Sequence, residues 1–152
     1  MYLIAIDPGK SHFGYAVFSY GTLIACGTPE HTNPTALAQI AIDLHSFYDR
    51  QTEERVTLVM EVPQHYLRTR RAKSLEGLVA LCAAIDRAVH VGRFYQPKEW
   101  KGQVPKPAHH KRLRRVLNSF ECSLWDAVDH NAKDAIGIGL FYLGRTKKGG
   151  VR

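Results

Sequence analysis

Three carboxylates and one histidine occupy positions from which chemistry can be done. Asp7 closes the apolar run Tyr2 to Ile6, and Pro8 and Gly9 turn the chain directly after it. Glu61 follows the branched apolar run Arg55 to Met60. Asp134 lies among small and apolar residues between Asn131 and Gly139. An isolated Asp-Pro-Gly is an ordinary turn opener, and a lone helical Asp is usually a solvated charge. The three together point elsewhere. A strand that ends in a carboxylate puts it at the sheet edge where ligands and ions bind in α/β folds. If the two strands are parallel neighbours, Asp7 and Glu61 stand roughly 5 Å apart. Carboxylates that close repel unless a cation lies between them or one is protonated. Oxygen-only ligation suits Mg²⁺ or Mn²⁺. With Asp134 added, the set can hold two ions ~4 Å apart, one to orient a water and one to stabilise the leaving oxygen of a phosphodiester.

His130 precedes Asp134 by four residues, one helical turn, and so shares its face. His130 is therefore read as pointing toward the same site, as a metal ligand or as the acceptor of a proton from the attacking water. Asn131, three before Asp134, shares that face, but a neutral amide is a weak ligand. Asp129, five before, is turned aside in a regular helix.

The elements that must position these groups follow from hydrophobic period and turn chemistry. Tyr2 to Ile6, His12 to Ser19 and Thr22 to Gly27 read as three strands. Their links are short, so they pair antiparallel. Asn33-Pro34 starts a helix, with Asn as cap and Pro at the first position. Its apolar residues Leu37, Ile40, Ala41, Leu44, Phe47 and Tyr48 recur at helical spacing to about Arg50. Arg55 to Met60 is the fourth strand, and the intervening helix allows it to lie parallel to the first. Val62 to Lys73 reads as a basic loop, Ser74 to Val89 as a second helix and Val91 to Tyr95 as a fifth strand. Gln96 to Ala108, with three prolines, reads as a loop. A third helix spans His109 to Asn118, and a final one runs from Ser123, its expected cap, to about Leu143. The expectation is one α/β domain over 1–152: a five-stranded mixed sheet, three antiparallel strands then parallel additions, with helices packed on it. Residues from about 145 onward read as a flexible basic tail.

The chain of 152 residues carries a net charge of +7 and 45% hydrophobic residues, which predicts a folded, basic protein with a polyanionic partner. The charge is clustered. Arg68, Arg70, Arg71 and Lys73 share one segment, and Lys98, Lys101, Lys106 and Lys111 another. Both segments, Lys98 included, are expected to bind DNA, with Lys101, Lys106 and Lys111 contacting its phosphates. A basic protein holding such a carboxylate site is expected to hydrolyse nucleic acid. Cys26, Cys82 and Cys122 form neither a zinc pattern nor a disulfide framework. With no membrane span and no leader pattern, a cytoplasmic setting is expected.

Ile6-Asp7-Pro8-Gly9, Val59-Met60-Glu61 and the segment His130 to Gly139 resemble the RuvC-type Holliday-junction resolvases of the RNase H-like nuclease superfamily. Tyr95 to Lys101 resembles the Pro-x-x-Trp-Lys stretch that family carries ahead of its last helices. The resemblance spans nearly the whole chain and is closer to compact phage versions. It implies an RNase H-like fold and Asp7, Glu61 and Asp134 as metal ligands. It also implies a homodimer that binds a four-way DNA junction and cuts two opposed strands symmetrically. That family uses an aromatic near the position of Tyr66, which favours Tyr66 as a residue that stacks on an unpaired base. Three residues before the helix Asp, where the family has an acidic residue or His, this chain has Asn131. The fourth ligand is thus open between His130 and Asn131. Two other readings stand beside this one: an RNA-processing nuclease of the YqgF type, and a junction-binding protein without catalysis.

Overall fold

The computed structural model describes residues 1–9, 12–30, 33–62 and 72–146, without the side chains of 72–75. Strands β1 (Tyr2–Asp7), β2 (Gly14–Ser19) and β3 (Thr22–Gly27) form an antiparallel meander. The turn between β2 and β3 requires positive φ at two residues, 47° at Tyr20 and 83° at Gly21, the pairing that suits tight hairpins. Helix α1 (Pro34–Asp49) starts where Asn33 accepts a hydrogen bond from the Thr35 amide at 2.9 Å. It carries the chain across to β4 (Thr57–Glu61), which pairs parallel to β1. Helix α2 (Ala72–Val89) leads in the same way to β5 (Arg93–Tyr95), parallel to β4. The sheet order is β3-β2-β1-β4-β5, the mixed five-stranded sheet expected from the sequence.

β1 is central and buried on both faces, which is why its run is continuously apolar. Ile4 and Ile6 face one side, with Val17, Leu58 and Met60, and are covered by Leu37 and Ala41 of α1 and Leu81 and Ile85 of α2. Leu3 and Ala5 face the other, with Phe18 and Val59, against Trp100, Leu113, Trp125 and the helix that ends the described chain.

That second face is built differently from expectation. The Pro-rich stretch is not a single loop. It holds α3 (Pro97–Trp100) and the start of α4 (Lys106–Arg114), each with proline in its first turn. Proline is pre-set for helix entry and gives up an amide that has no partner there anyway. The final helix is two helices, α5 (Ser119–Asp126) and α6 (His130–Tyr142). Their caps are Asn118 and Asp129, not Ser123. Asp129 accepts from the amides of Asn131 and Ala132, and from the Thr28 hydroxyl. It therefore begins a new helix where a continuous one was expected.

Arg145, expected in the tail, belongs to the body. It makes a bidentate pair with Glu121 at 2.6 and 2.8 Å, and Glu121 is fully buried. Glu121 also accepts from the amides of Leu23 and Asn118. Residues 147–152 lie outside the described residues.

Candidate active site

Pairing between β1 and β4 brings Ile6 opposite Met60. The next residue on each strand is a carboxylate, Asp7 and Glu61, so the two stand side by side where the parallel strands end. Asp134 comes from α6, which crosses β1 and β2 on one face of the sheet. It is 4% exposed and follows Ala132, which is fully buried.

Four side chains from α3, the residue after it and α4 close over these acids. The indole Nε1–H of Trp100 donates to Glu61 Oε2 at 2.7 Å. Lys101 Nζ stands 3.6 Å from the same oxygen. Lys106 Nζ lies 2.6 Å from Asp134 Oδ2, and His110 Nε2 lies 2.6 Å from Asp134 Oδ1. Lys106 and His110 are one turn apart on α4, so a single helix face holds both oxygens of Asp134. Leu113, on the same side of α4, is buried against α6 near Gly137.

The electrostatics follow from this geometry. Burial pushes the Asp7 carboxyl well above the usual carboxylate range, and the charges of Glu61 and Asp134 push it further. Lys101 and Lys106 pull it back only in part. Burial also raises Glu61, against the opposing effects of Lys101 and the Trp100 hydrogen bond. The charges of Glu61 and Asp134 thus both act on Asp7. As the side chains stand, no three His, Cys, Asp or Glu among the described residues are gathered closely enough to ligate one ion. Glu61 and Asp134 are engaged by the donors named above.

The chain has 17% identity to T. thermophilus RuvC in complex with Holliday junction substrate, over 95% of both chains, with a TM-score of 0.67. A second Thermus thermophilus RuvC structure matches at 16% identity over 95% of this chain and 98% of that one, TM-score 0.59. The fowlpox virus Holliday junction resolvase matches at 11% identity over 96% and 100%, TM-score 0.57. The fold is RuvC-type and RNase H-like. At the level of sequence no family model and no curated protein matches the chain.

Within this RuvC-type fold the sequence-predicted residues fall into three groups. Asp7, Glu61 and Asp134 come together, and so do Lys101 and Lys106. Both lysines were expected on phosphates, and here they face carboxylates. A second group lies apart. His130 is exposed at the first position of α6, and the place beside Asp134 is taken by His110. Asn131 Nδ2 donates to the cap residue Asp129 at 3.2 Å, which commits that side chain to the helix start. Lys98 and Lys111 are exposed on the segment that covers the site. The third group, Tyr66, Arg68, Arg70 and Arg71, lies outside the described residues, as does the side chain of Lys73.

The sequence offered His109 and His110 as phosphate contacts or helix caps and Trp100 as a core anchor for its loop, and put neither His110 nor Trp100 beside the carboxylates. Trp100 does both: it is buried in the core and its N–H reaches Glu61. Lys106, His110 and Leu113 recur at i, i+4 and i+7, a helical stripe that was legible once proline was taken as a helix start rather than a loop residue. His109, by contrast, is buried edge-on to Trp100 at 5.2 Å. Burial lowers its pKa to about 4, and with 7% exposure it does not present the surface that a phosphate contact needs.

Proposed function

We propose that this chain is a divalent-metal-dependent endodeoxyribonuclease that resolves four-way DNA junctions by paired symmetric nicks, working as a homodimer. The observation that carries this reading is the convergence of Asp7, Glu61 and Asp134 at one sheet edge of a RuvC-type fold, covered by lysines from the neighbouring segment. The likeness to a RuvC seen with its Holliday junction substrate supports DNA of that form as the ligand.

The donor set fits hard divalent cations. Its three acids are oxygen donors, and the burial and mutual repulsion at Asp7 are relieved by added positive charge. Asp7, Glu61 and Asp134 would hold two Mg²⁺ or Mn²⁺ ions, which when bound supply an activated water and neutralise charge on the scissile phosphate. Lys101 and Lys106 hold Glu61 and Asp134 through ion pairs and keep cationic charge at the place a phosphate must reach. Trp100 fixes the Glu61 carboxylate by its N–H and walls the site from the core side. Lys98, Lys111 and Arg112 are exposed on the same segment and supply phosphate contacts. From the sequence, Arg68, Arg70, Arg71 and Lys73 would add contacts to DNA, and Tyr66 would stack on an unpaired base, as the family resemblance implies.

The deciding experiment is incubation of a synthetic four-way junction with the protein and Mg²⁺, with products mapped on all four strands. Matched duplex, flap and RNA substrates run alongside. Symmetric nicks in two opposed strands, absent without metal, are expected. Equal cutting of plain duplex, or cutting confined to RNA, would overturn the proposal.

A further inference from the structure

We infer that His110, on α4, is the fourth functional group of the site, and that it acts as a positioning residue that fixes the Asp134 carboxylate. The inference rests on reading the site as a metal-dependent nuclease centre.

Three observations carry it. First, His110 Nε2 lies 2.6 Å from Asp134 Oδ1. A carboxylate oxygen only accepts, so Nε2 carries the proton and donates. Second, the imidazole is itself held. It stands edge-on to Trp125 with centroids 5.6 Å apart and planes at 87°, and its side chain is only 16% exposed. Third, the residues on α6 that could have taken this role are placed otherwise. Asn131 donates to Asp129, Asp129 caps the helix, and His130 is exposed.

The two partners of Asp134 differ in kind. Lys106 is nearly half exposed, a flexible cation with its own charge to give. His110 is wedged between Trp125 and Asp134. With a divalent ion bound, the Lys106 charge would compete with it for Asp134, so Lys106 would be the partner to give way. His110 would keep its hydrogen bond to Oδ1 and so hold the orientation of the Asp134 carboxylate. Hydrogen bonds that orient a ligating carboxylate in this way are worth about 10- to 100-fold in metal affinity or activity.

The test is Mn²⁺ titration of the metal-free full-length protein by calorimetry, with thermal unfolding as a check of fold. Wild type, His110→Ala, His110→Gln and Asp134→Asn are compared, and kcat and KM are measured on a four-way junction. His110→Ala is expected to weaken Mn²⁺ binding about 10-fold or more and to lower kcat with little change in KM. His110→Gln, which keeps an N–H donor at similar reach, is expected to recover most of both. Wild-type Mn²⁺ affinity in His110→Ala would overturn the inference. So would failure of a folded His110→Gln to improve on His110→Ala, since the imidazole itself would then be required. A loss in His130→Ala as large as that in His110→Ala would return the role to α6. Wild type that binds no Mn²⁺, or binds it no better than Asp134→Asn, would overturn the underlying reading of the site instead.

Discussion

Asp7 carries its charge against its surroundings. It is pressed by burial and by two neighbouring carboxylates, and its relief comes from cations. Removing that charge should stabilise the metal-free protein, since active-site charges are often retained at the expense of stability. Asp7→Asn is expected to raise Tm by a few degrees, the scale set by about 1 kcal/mol in a domain of this size. It should abolish junction cleavage while leaving junction binding intact, because affinity comes from phosphate contacts elsewhere. Scanning calorimetry checks the stability and its link to metal: Mg²⁺ should raise Tm for wild type and leave Asp7→Asn unmoved, while gel shift and cleavage of a four-way junction check the rest. A variant that cuts at the wild-type rate would remove Asp7 from the site. Glu121 is the opposite case. Burial alone would raise it, but the Arg145 hydrogen bonds and the amides of Leu23 and Asn118 outweigh that and hold its pKa to about 2. A carboxylate lowered on folding contributes stability that is complete above its unfolded value near 4.5 and is lost as pH falls toward about 2. Denaturant melts from pH 6 to 2 should therefore show a steep acid loss in wild type that is shallower in Glu121→Gln. Arg145→Ala, which strands a buried carboxylate, should cost about 3–5 kcal/mol at pH 7.

α6 and α4 meet at Gly137, and that meeting point sets the position of two site residues. A Cβ on Gly137 would lie 2.6 Å from Trp100 Cζ3 and 2.8 Å from Leu113 Cδ1. Trp100 is the donor to Glu61, and Leu113 anchors the helix that carries Lys106 and His110. Gly137→Val should therefore push both away, at about 1–3 kcal/mol for an overpacked core. The expected outcome is a fall in kcat for junction cleavage well beyond any fall in junction affinity measured by gel shift. Equal losses in both would mean that α4 serves binding rather than the carboxylates. The break between α5 and α6 belongs to the same scale. Asp129 caps α6 and ties it to Thr28 at the end of β3, so the helix start is fixed to the sheet that carries Asp7. Asp129→Ala should cost about 1 kcal/mol of stability by loss of the cap.

Across the whole molecule the sheet supplies two acids and the terminal helices the third, with the cations that hold them. The chain as a whole carries a net charge of +7. If the cluster Arg68, Arg70 and Arg71 meets duplex arms, replacing all three with Ala should lower the slope of log K against log salt by about 0.9 for each phosphate no longer neutralised. Binding isotherms on a four-way junction from low to moderate salt measure this, and an unchanged slope would show the cluster turned away from DNA. Among the described residues no helix is long and apolar enough to cross a membrane.

The sheet was legible from the chain because its signals are local. β1 is a branched apolar run ended by Asp-Pro-Gly, Tyr20-Gly21 closes a hairpin, and Asn33-Pro34 opens the crossover that makes β1 and β4 parallel. That pairing alone puts Asp7 beside Glu61, so two of the three acids follow from strand order. The turn before α6 was not legible, since Val128-Asp129 interrupts no hydrophobic period and the cap shows only when Asp129 meets the free amides of Asn131 and Ala132. The partner of Asp134 was misplaced for a related reason. Spacing along one helix ranks His130 first, but spacing says which residues share a face, not whether that face is covered. Packing of α4 on α6 through Leu113 and Gly137 decides it, and brings in His110 from 24 residues away.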